Sequence, residues 1–240
     1  MFKGKSVIAI APVFNEEKKI GMVVQRVPRD IVDEVLIVDD GSTDRSVAVV
    51  EELGAKTISL GSTIGVGAAI RTGYVYAVEN GFDIAVVMAG NNKDHPEEIP
   101  ILLEPIVRGR ADLVQGSRWL GNVGDLGEMP LYRRVATKLH PALFNLISGA
   151  KMTDTTNGFR AASAELLSDP KLSLDQRWLD EYELEVYLLY KASKIGYRVT
   201  EVPVTKTYPP KDLGQTKMKP IVGWWSILRP LLLLGLRIKK

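Results

Sequence analysis

Val35-Leu36-Ile37-Val38-Asp39-Asp40-Gly41-Ser42 sets a short apolar run, mostly β-branched, directly against two carboxylates and a turn. Such a run has the length and composition of a strand buried on both faces. The layout recurs on either side of it. Val7 to Val13 runs into Phe14-Asn15-Glu16, Ile84 to Met88 runs into Ala89-Gly90-Asn91, and Thr57 to Leu60 is a further short strand. Helical stretches lie between them. One covers about 16–27 and stops at Pro28; one runs from a cap at Ser42 or Thr43 to Glu52 and ends at Gly54; one covers about 68–78 and closes at Asn80-Gly81. This alternation predicts an α/β fold, a mostly parallel sheet with helices on both faces. Ligands on such sheets bind beyond the carboxyl ends of the strands. The segments 14–16, 39–41 and 89–91 all fall at such ends and mark the expected site.

The second half is less regular. Asp112 to Gly116 reads as a strand with an abrupt turn, Gly121 to Gly127 as a loop, and Tyr132 to Ser148 as a helix interrupted at Pro141. Leu179 to Lys194 reads as a long helix and Tyr197 to Val204 as a strand. The expected organisation is a main domain over 1–205, a flexible Pro/Lys/Gly loop over 206–220 and a basic amphipathic segment over 221–240.

The chain has 240 residues, 45% of them hydrophobic, which gives one α/β domain an ample core. Cysteine is absent, so disulfides and thiolate metal sites are excluded, and a reducing compartment fits. The start is not a signal peptide, because Pro12 interrupts a short apolar run and acids follow at once. Net charge is +2, but from Lys206 onward there are eight Lys or Arg and one acid, Asp212, giving +7 there and leaving −5 on 1–205. A basic tail on an acidic body suits a local anion or a membrane surface rather than nucleic acid.

Ile221 to Ile238 would span about 27 Å as a helix at ~1.5 Å per residue, which is marginal for a bilayer. Arg229 at its centre costs ~2.5–3.5 kcal/mol to insert, and Pro230 kinks it. Trp224 and Trp225, with Arg237, Lys239 and Lys240, favour docking at the interface over a core helix or a true span.

Asp39 and Asp40 suit hydrogen bonding to a nucleobase or ribose; the plainer reading is a strand-end turn that caps the next helix. Gly65-Val66-Gly67-Ala68-Ala69-Ile70-Arg71 lacks the third glycine of a dinucleotide fingerprint. Its small residues let a helix N-terminus approach the sheet, with Arg71 either aimed at a nucleotide or on a solvated face. Arg118, Arg133, Arg134 and Arg160 have little local acid to pair with and tilt toward an anion site. His95 and His140 are in unrelated segments, which argues against structural zinc. No nucleophile elbow supports acyl transfer.

Several motifs occur in order: APVFNEE at 11–17, VDDGSTD at 38–44, GVGAAIRTGY at 65–74, HPEEIP at 95–100, VQGSR at 114–118, TNGFRA at 156–161 and GYRVTEVPV at 196–204. Over about 5–220 they resemble family-2 glycosyltransferases of the GT-A (Rossmann-like) fold, in the branch of dolichol-phosphate mannose synthase and polyprenyl-phosphate glycosyltransferases. The resemblance implies an inverting enzyme that moves a sugar from a nucleotide-sugar donor to a polyprenyl or dolichyl phosphate. It would be peripheral on the cytoplasmic face of a membrane, held there by the C-terminal segment.

The resemblance assigns Pro12, Phe14, Glu16, Asp39, Asp40, Arg71, Asn91, Lys93 and Lys217 to the donor, and Arg118, Arg133, Arg134 and Thr137 to the acceptor phosphate. Arg118, Arg133 and Asp94 would act in the reaction itself. The family's Asp-x-Asp for a divalent cation, Mg²⁺ or Mn²⁺, falls on Ala89 and Asn91. Asn91 and Asp94 are then the expected metal ligands, unless Lys93 replaces the metal's charge. Transfer to an ionised phosphate needs no general base. The alternatives are transfer to a hydroxyl, with Asp180 or Glu181 as base, a non-catalytic nucleotide-sugar-binding subunit, and a sugar nucleotidyltransferase.

Overall fold

The computed structural model describes residues 1–121, 127–208 and 220–239, with side chains throughout except at 220–224. One sheet of seven strands organises them: β1 (Val7–Val13), β2 (Glu34–Asp39), β3 (Lys56–Ser59), β4 (Ile84–Val87), β5 (Leu113–Ser117), β6 (Arg160–Ser163) and β7 (Val199–Pro203), in the order β3-β2-β1-β4-β6-β5-β7. All pairings are parallel except those of β6, which runs antiparallel to both β4 and β5. The expected mostly parallel α/β sheet is therefore observed. β6 was not anticipated, because Arg160-Ala161-Ala162-Ser163 carries no β-branched apolar residue.

Alternation along β1 builds the two halves of the core. Ile8 and Ile10 point to one face with α3 (Val66–Glu79), α7 (Glu183–Lys194) and α8 (Pro220–Gly235). Val7, Ala9, Ala11 and Val13 point to the other, with α1 (Ile20–Arg26) and α4 (Ile99–Val107). This is the period-two geometry of a strand covered on both sides.

Several local expectations are corrected. Helix α2 (Ser46–Glu52) begins later than Ser42 or Thr43, with Asp44 Oδ1 accepting from the Ser46 N–H at 2.9 Å. Helix α5 (Leu131–Ser148) continues through Pro141, which is buried beside His140 and Phe144. Packing there outweighs the lost helical hydrogen bond. The small residues of α3 act at two places. A Cβ on Gly67 would lie 2.1 Å from Leu179 O, so this end of α3 presses on the segment before α7 rather than on the sheet. Contact with the sheet comes further along, where a Cβ on Gly73 would lie 2.4 Å from Ile10 Cγ2.

Helix α8 packs on α5 and α7 and buries Leu231 and Leu234 in the main core. Arg229 pairs with the buried Glu183 at 2.6 Å. The segment expected at the surface thus has one face inside the protein. Among the described residues no helix is long and apolar enough to cross a membrane.

Candidate active site

The carboxyl ends of β1, β2, β4 and β5 open into one cavity of about 580 Å³, closed over by α5, the start of α7 and α8. At one end stand Pro12, Phe14, Glu16 and Asp40. Asp40 Oδ1 accepts from the backbone N–H groups of Ile64 at 2.7 Å and Gly65 at 3.0 Å. Glu16 pairs with Lys19 at 2.6 Å. Asp39 lies behind this wall: Oδ1 accepts from the Ser42 N–H and Oδ2 from the Ser59 hydroxyl. Arg71 also turns away, pairing with Asp180 at 2.6 Å, and it does not line the cavity.

Beyond β4 the wall is Ala89, Gly90, Asn91 and Lys93. Asp94 closes the loop from behind, with Oδ2 accepting from the Ala89 N–H at 2.7 Å and Oδ1 from Lys206 Nζ at 2.5 Å. Lys206 Nζ also donates to Asn157 Oδ1 at 2.8 Å, and Asn157 Nδ2 donates to Gly116 O. Lys93 is buried at the cavity wall. Burial first, then the charges of Arg133, Lys206 and Lys19, pull its pKa down to about 7, with Glu16 opposing.

Past β5, Arg118 is buried against Asp154, with Nε at 2.6 Å from Oδ2 and Nη2 at 3.0 Å from Oδ1. It also donates to Thr156 Oγ1 and to the Tyr208 hydroxyl. Burial works against its charge, but Asp154 outweighs burial and raises the pKa. Tyr208 carries two more cations on its ring, Lys93 Nζ at 5.1 Å and Arg133 at 5.7 Å from the centroid. Helix α5 contributes Arg133, Thr137 and His140 to the wall. The His140 ring links α5 to Thr155 Oγ1 at 2.7 Å and to Ile227 O of α8 at 3.2 Å.

Of the residues expected at the site, the cavity gathers Pro12, Phe14, Glu16, Asp40, Asn91, Lys93, Arg118, Arg133 and Thr137. Arg134 is exposed and not on the wall, and Thr137 spends its hydroxyl on the carbonyls of Arg133 and Arg134. Arg160 is fully buried and bonded to Glu185 and Asn157 O. The acids that pair Arg118 and Arg160, Asp154 and Glu185, come from distant positions, which is why local sequence suggested free charge there. Lys217 lies outside the described residues. Lys206, Tyr208, Asp154 and His140 were not anticipated. The signals available were the polar run Asp154-Thr155-Thr156-Asn157 and a lysine just after a strand.

The model for "Glycosyl transferase family 2" matches residues 8–169. The chain belongs to glycosyl transferase family 2. It is 32% identical to an undecaprenyl-phosphate mannosyltransferase of Micrococcus luteus over 90% of this chain and 89% of that protein. It is 31% identical to a polyprenol monophosphomannose synthase of Mycolicibacterium smegmatis over 88% of this chain and 80% of that one. The fold matches glucosyl-3-phosphoglycerate synthase of Mycobacterium tuberculosis, solved with Mn²⁺, UDP and glucosyl-3-phosphoglycerate, at a TM-score of 0.68 and 23% identity, covering 98% of this chain and 80% of that one. The expected GT-A fold and glycosyltransferase activity are thus established.

The glycosyltransferase does not present a divalent-cation site of the expected kind. Ala89 has no donor, and Asn91 offers one neutral oxygen, buried and without a hydrogen-bond partner. A hard cation prefers several oxygens with carboxylates among them. Asp94, expected as a ligand, accepts from Lys206 and from the Ala89 N–H and does not line the cavity. Among the described residues no group of three or more His, Cys, Asp or Glu side chains could hold a metal ion.

Glu181 lines the cavity, and its pKa is raised by burial first, then by Glu183, Asp40 and Asp180. Asp180, the other candidate base, is tied to Arg71.

Proposed function

We propose that this glycosyltransferase moves a sugar from a nucleotide-sugar donor to polyprenyl phosphate at a membrane surface. The observation that carries this reading is the apolar exterior of the two helices that wall the cavity. On α5, Leu131, Val135, Leu139, Leu143 and Leu146 recur at helical spacing and stand exposed, Leu146 at 82%. On the adjacent α8, Trp225, Leu228 and Leu232 do the same, and Leu236 just after it is exposed as well. Arg134 and Lys138 on α5 and Arg237 and Lys239 after α8 add exposed positive charge. Apolar stripes flanked by Lys and Arg suit a headgroup–acyl boundary. The inner faces of the same helices supply Arg133, Thr137 and Ser226 to the cavity. A lipid acceptor entering between membrane and cavity would therefore meet Arg133 first. The names of the relatives, which act on undecaprenyl phosphate and polyprenol, support the same acceptor class.

In the proposed step an acceptor phosphate oxygen attacks the anomeric carbon from the face opposite the diphosphate. One C–O bond forms as the bond to the leaving diphosphate breaks, so the anomeric centre inverts. The nucleophile is already anionic and needs no base. Pro12, Phe14 and Asp40 hold the nucleoside, Lys93 faces the diphosphate, and Arg133 faces the acceptor phosphate. Arg118, bound to Asp154, positions Tyr208 and Thr156 rather than offering its charge outright. The work of the site is alignment and electrostatic stabilisation.

Transfer to a hydroxyl is the second reading, favoured by the raised pKa of Glu181 at the cavity wall. Incubating the protein with labelled nucleotide sugars, and either polyprenyl phosphate in liposomes or simple glycosides, separates the two. Label appearing only in glycosides would overturn the lipid-phosphate reading.

A further inference from the structure

We propose that side-chain cations, Lys93 backed by Lys206, hold the donor diphosphate in this chain in place of a divalent ion, with Arg133 beside them at the acceptor phosphate, so that nucleotide binding persists in chelator. The inference rests on the transferase reading above and deepens it.

Three arrangements carry it. First, the wall after β4 presents Ala89 and Asn91, with no ionised oxygen facing the cavity. Second, the carboxylate nearest in sequence, Asp94, is occupied on both oxygens, and the group that occupies it is itself a cation. Lys206 is locked there by Asn157, which is in turn anchored on β5 through Gly116 O. The carboxylate of this loop is thus neutralised by Lys206 and does not line the cavity. Third, Lys93 and Arg133 both lie over one aromatic ring, that of Tyr208, whose hydroxyl accepts from Arg118. A buried ammonium and a guanidinium held on a pinned ring form a preset cradle for an anion. At this wall the ammonium and the guanidinium favour a diphosphate over a dication, against the opposing charge of Glu16.

Binding of UDP and of GDP, measured calorimetrically in EDTA and in Mn²⁺, tests this without relying on turnover. The expected result is that the nucleotide that binds does so within about threefold under both conditions. Lys93→Gln should weaken binding about tenfold or more in either buffer, and Lys93→Arg should restore most of it. A double change, Ala89→Asp with Asn91→Asp, should weaken binding in EDTA and make Mn²⁺ restore it. Wild-type binding that collapses in EDTA and returns with Mn²⁺ would overturn the inference and leave the transferase reading standing. An unchanged Lys93→Gln affinity would also overturn it. No binding of either nucleotide under either condition would sink both readings.

Discussion

Lys206 Nζ lies 2.5 Å from Asp94 Oδ1, joining the segment after β7 to the loop after β4. Both side chains are almost fully buried. Removing one partner of such a pair leaves a buried charge uncompensated, at a cost of about 3–5 kcal/mol. Asp94→Asn should therefore lower the denaturation midpoint strongly. Urea unfolding checks this; a loss below about 1 kcal/mol would mean the pair is solvated in solution.

Lys93 sets a pH dependence. Its pKa is about 7 in the folded protein against 10.5 ordinarily. Between those values the unfolded chain binds more protons than the folded one, so the Lys93 contribution to stability rises with pH from about 7 to 10.5. A bound diphosphate favours the ammonium, so nucleotide affinity should fall as pH climbs above about 7, by up to about tenfold per unit. Affinities measured from acid to alkaline buffer should show this slope in the wild type and a flatter profile in Lys93→Gln.

Helix α3 meets the sheet at Gly73, and Ala there would crowd Ile10. Overpacking of this kind costs about 1–3 kcal/mol. Combining Gly73→Ala with Ile10→Ala should cost less than the sum of the two, by about 0.5 kcal/mol or more. A double-mutant cycle in denaturant measures that coupling, and strict additivity would contradict the close approach.

The exposed stripe on α5 is a direct test of membrane docking. Leu139→Gln with Leu146→Gln should leave stability within about 0.5 kcal/mol, since both residues are exposed. Sedimentation with anionic liposomes should nevertheless fall roughly tenfold, because apolar surface no longer enters the acyl boundary. Deleting α8 would be a poorer test, because Leu231 and Leu234 belong to the core.

Glu181 separates the two acceptor classes. Glu181→Gln should reduce transfer to polyprenyl phosphate by less than about tenfold, whereas loss of a general base typically costs about 10²–10⁴-fold. Initial rates with each acceptor decide between them.

The parallel strands were legible because burial on both faces leaves continuous apolar runs such as Ile84-Ala85-Val86-Val87. The strand ends then located the cavity, and Pro12, Phe14, Asp40, Asn91 and Lys93 all reach it. What the sequence hid was long-range pairing. Arg118 and Asp154 are 36 residues apart, and Arg71 and Asp180 are 109 apart. No local pattern shows that such charges are already matched. Lys206 and Tyr208 were equally hidden, because a single lysine or tyrosine after a strand has no periodicity to mark it.

The Arg118–Asp154 pair has a wider consequence. It closes an excursion that leaves the sheet after β5, carries all of α5 and returns just before β6. The part of the cavity proposed for the nucleotide, at Pro12, Phe14 and Asp40, is built from the ends of β1 and β2, with β4 beside them, outside that excursion. In the proposed reaction, donor and acceptor recognition are therefore housed in separable parts of the chain. The excursion could thus be exchanged, and with it the proposed acceptor contacts, while the clasp keeps its ends in register with the rest of the sheet.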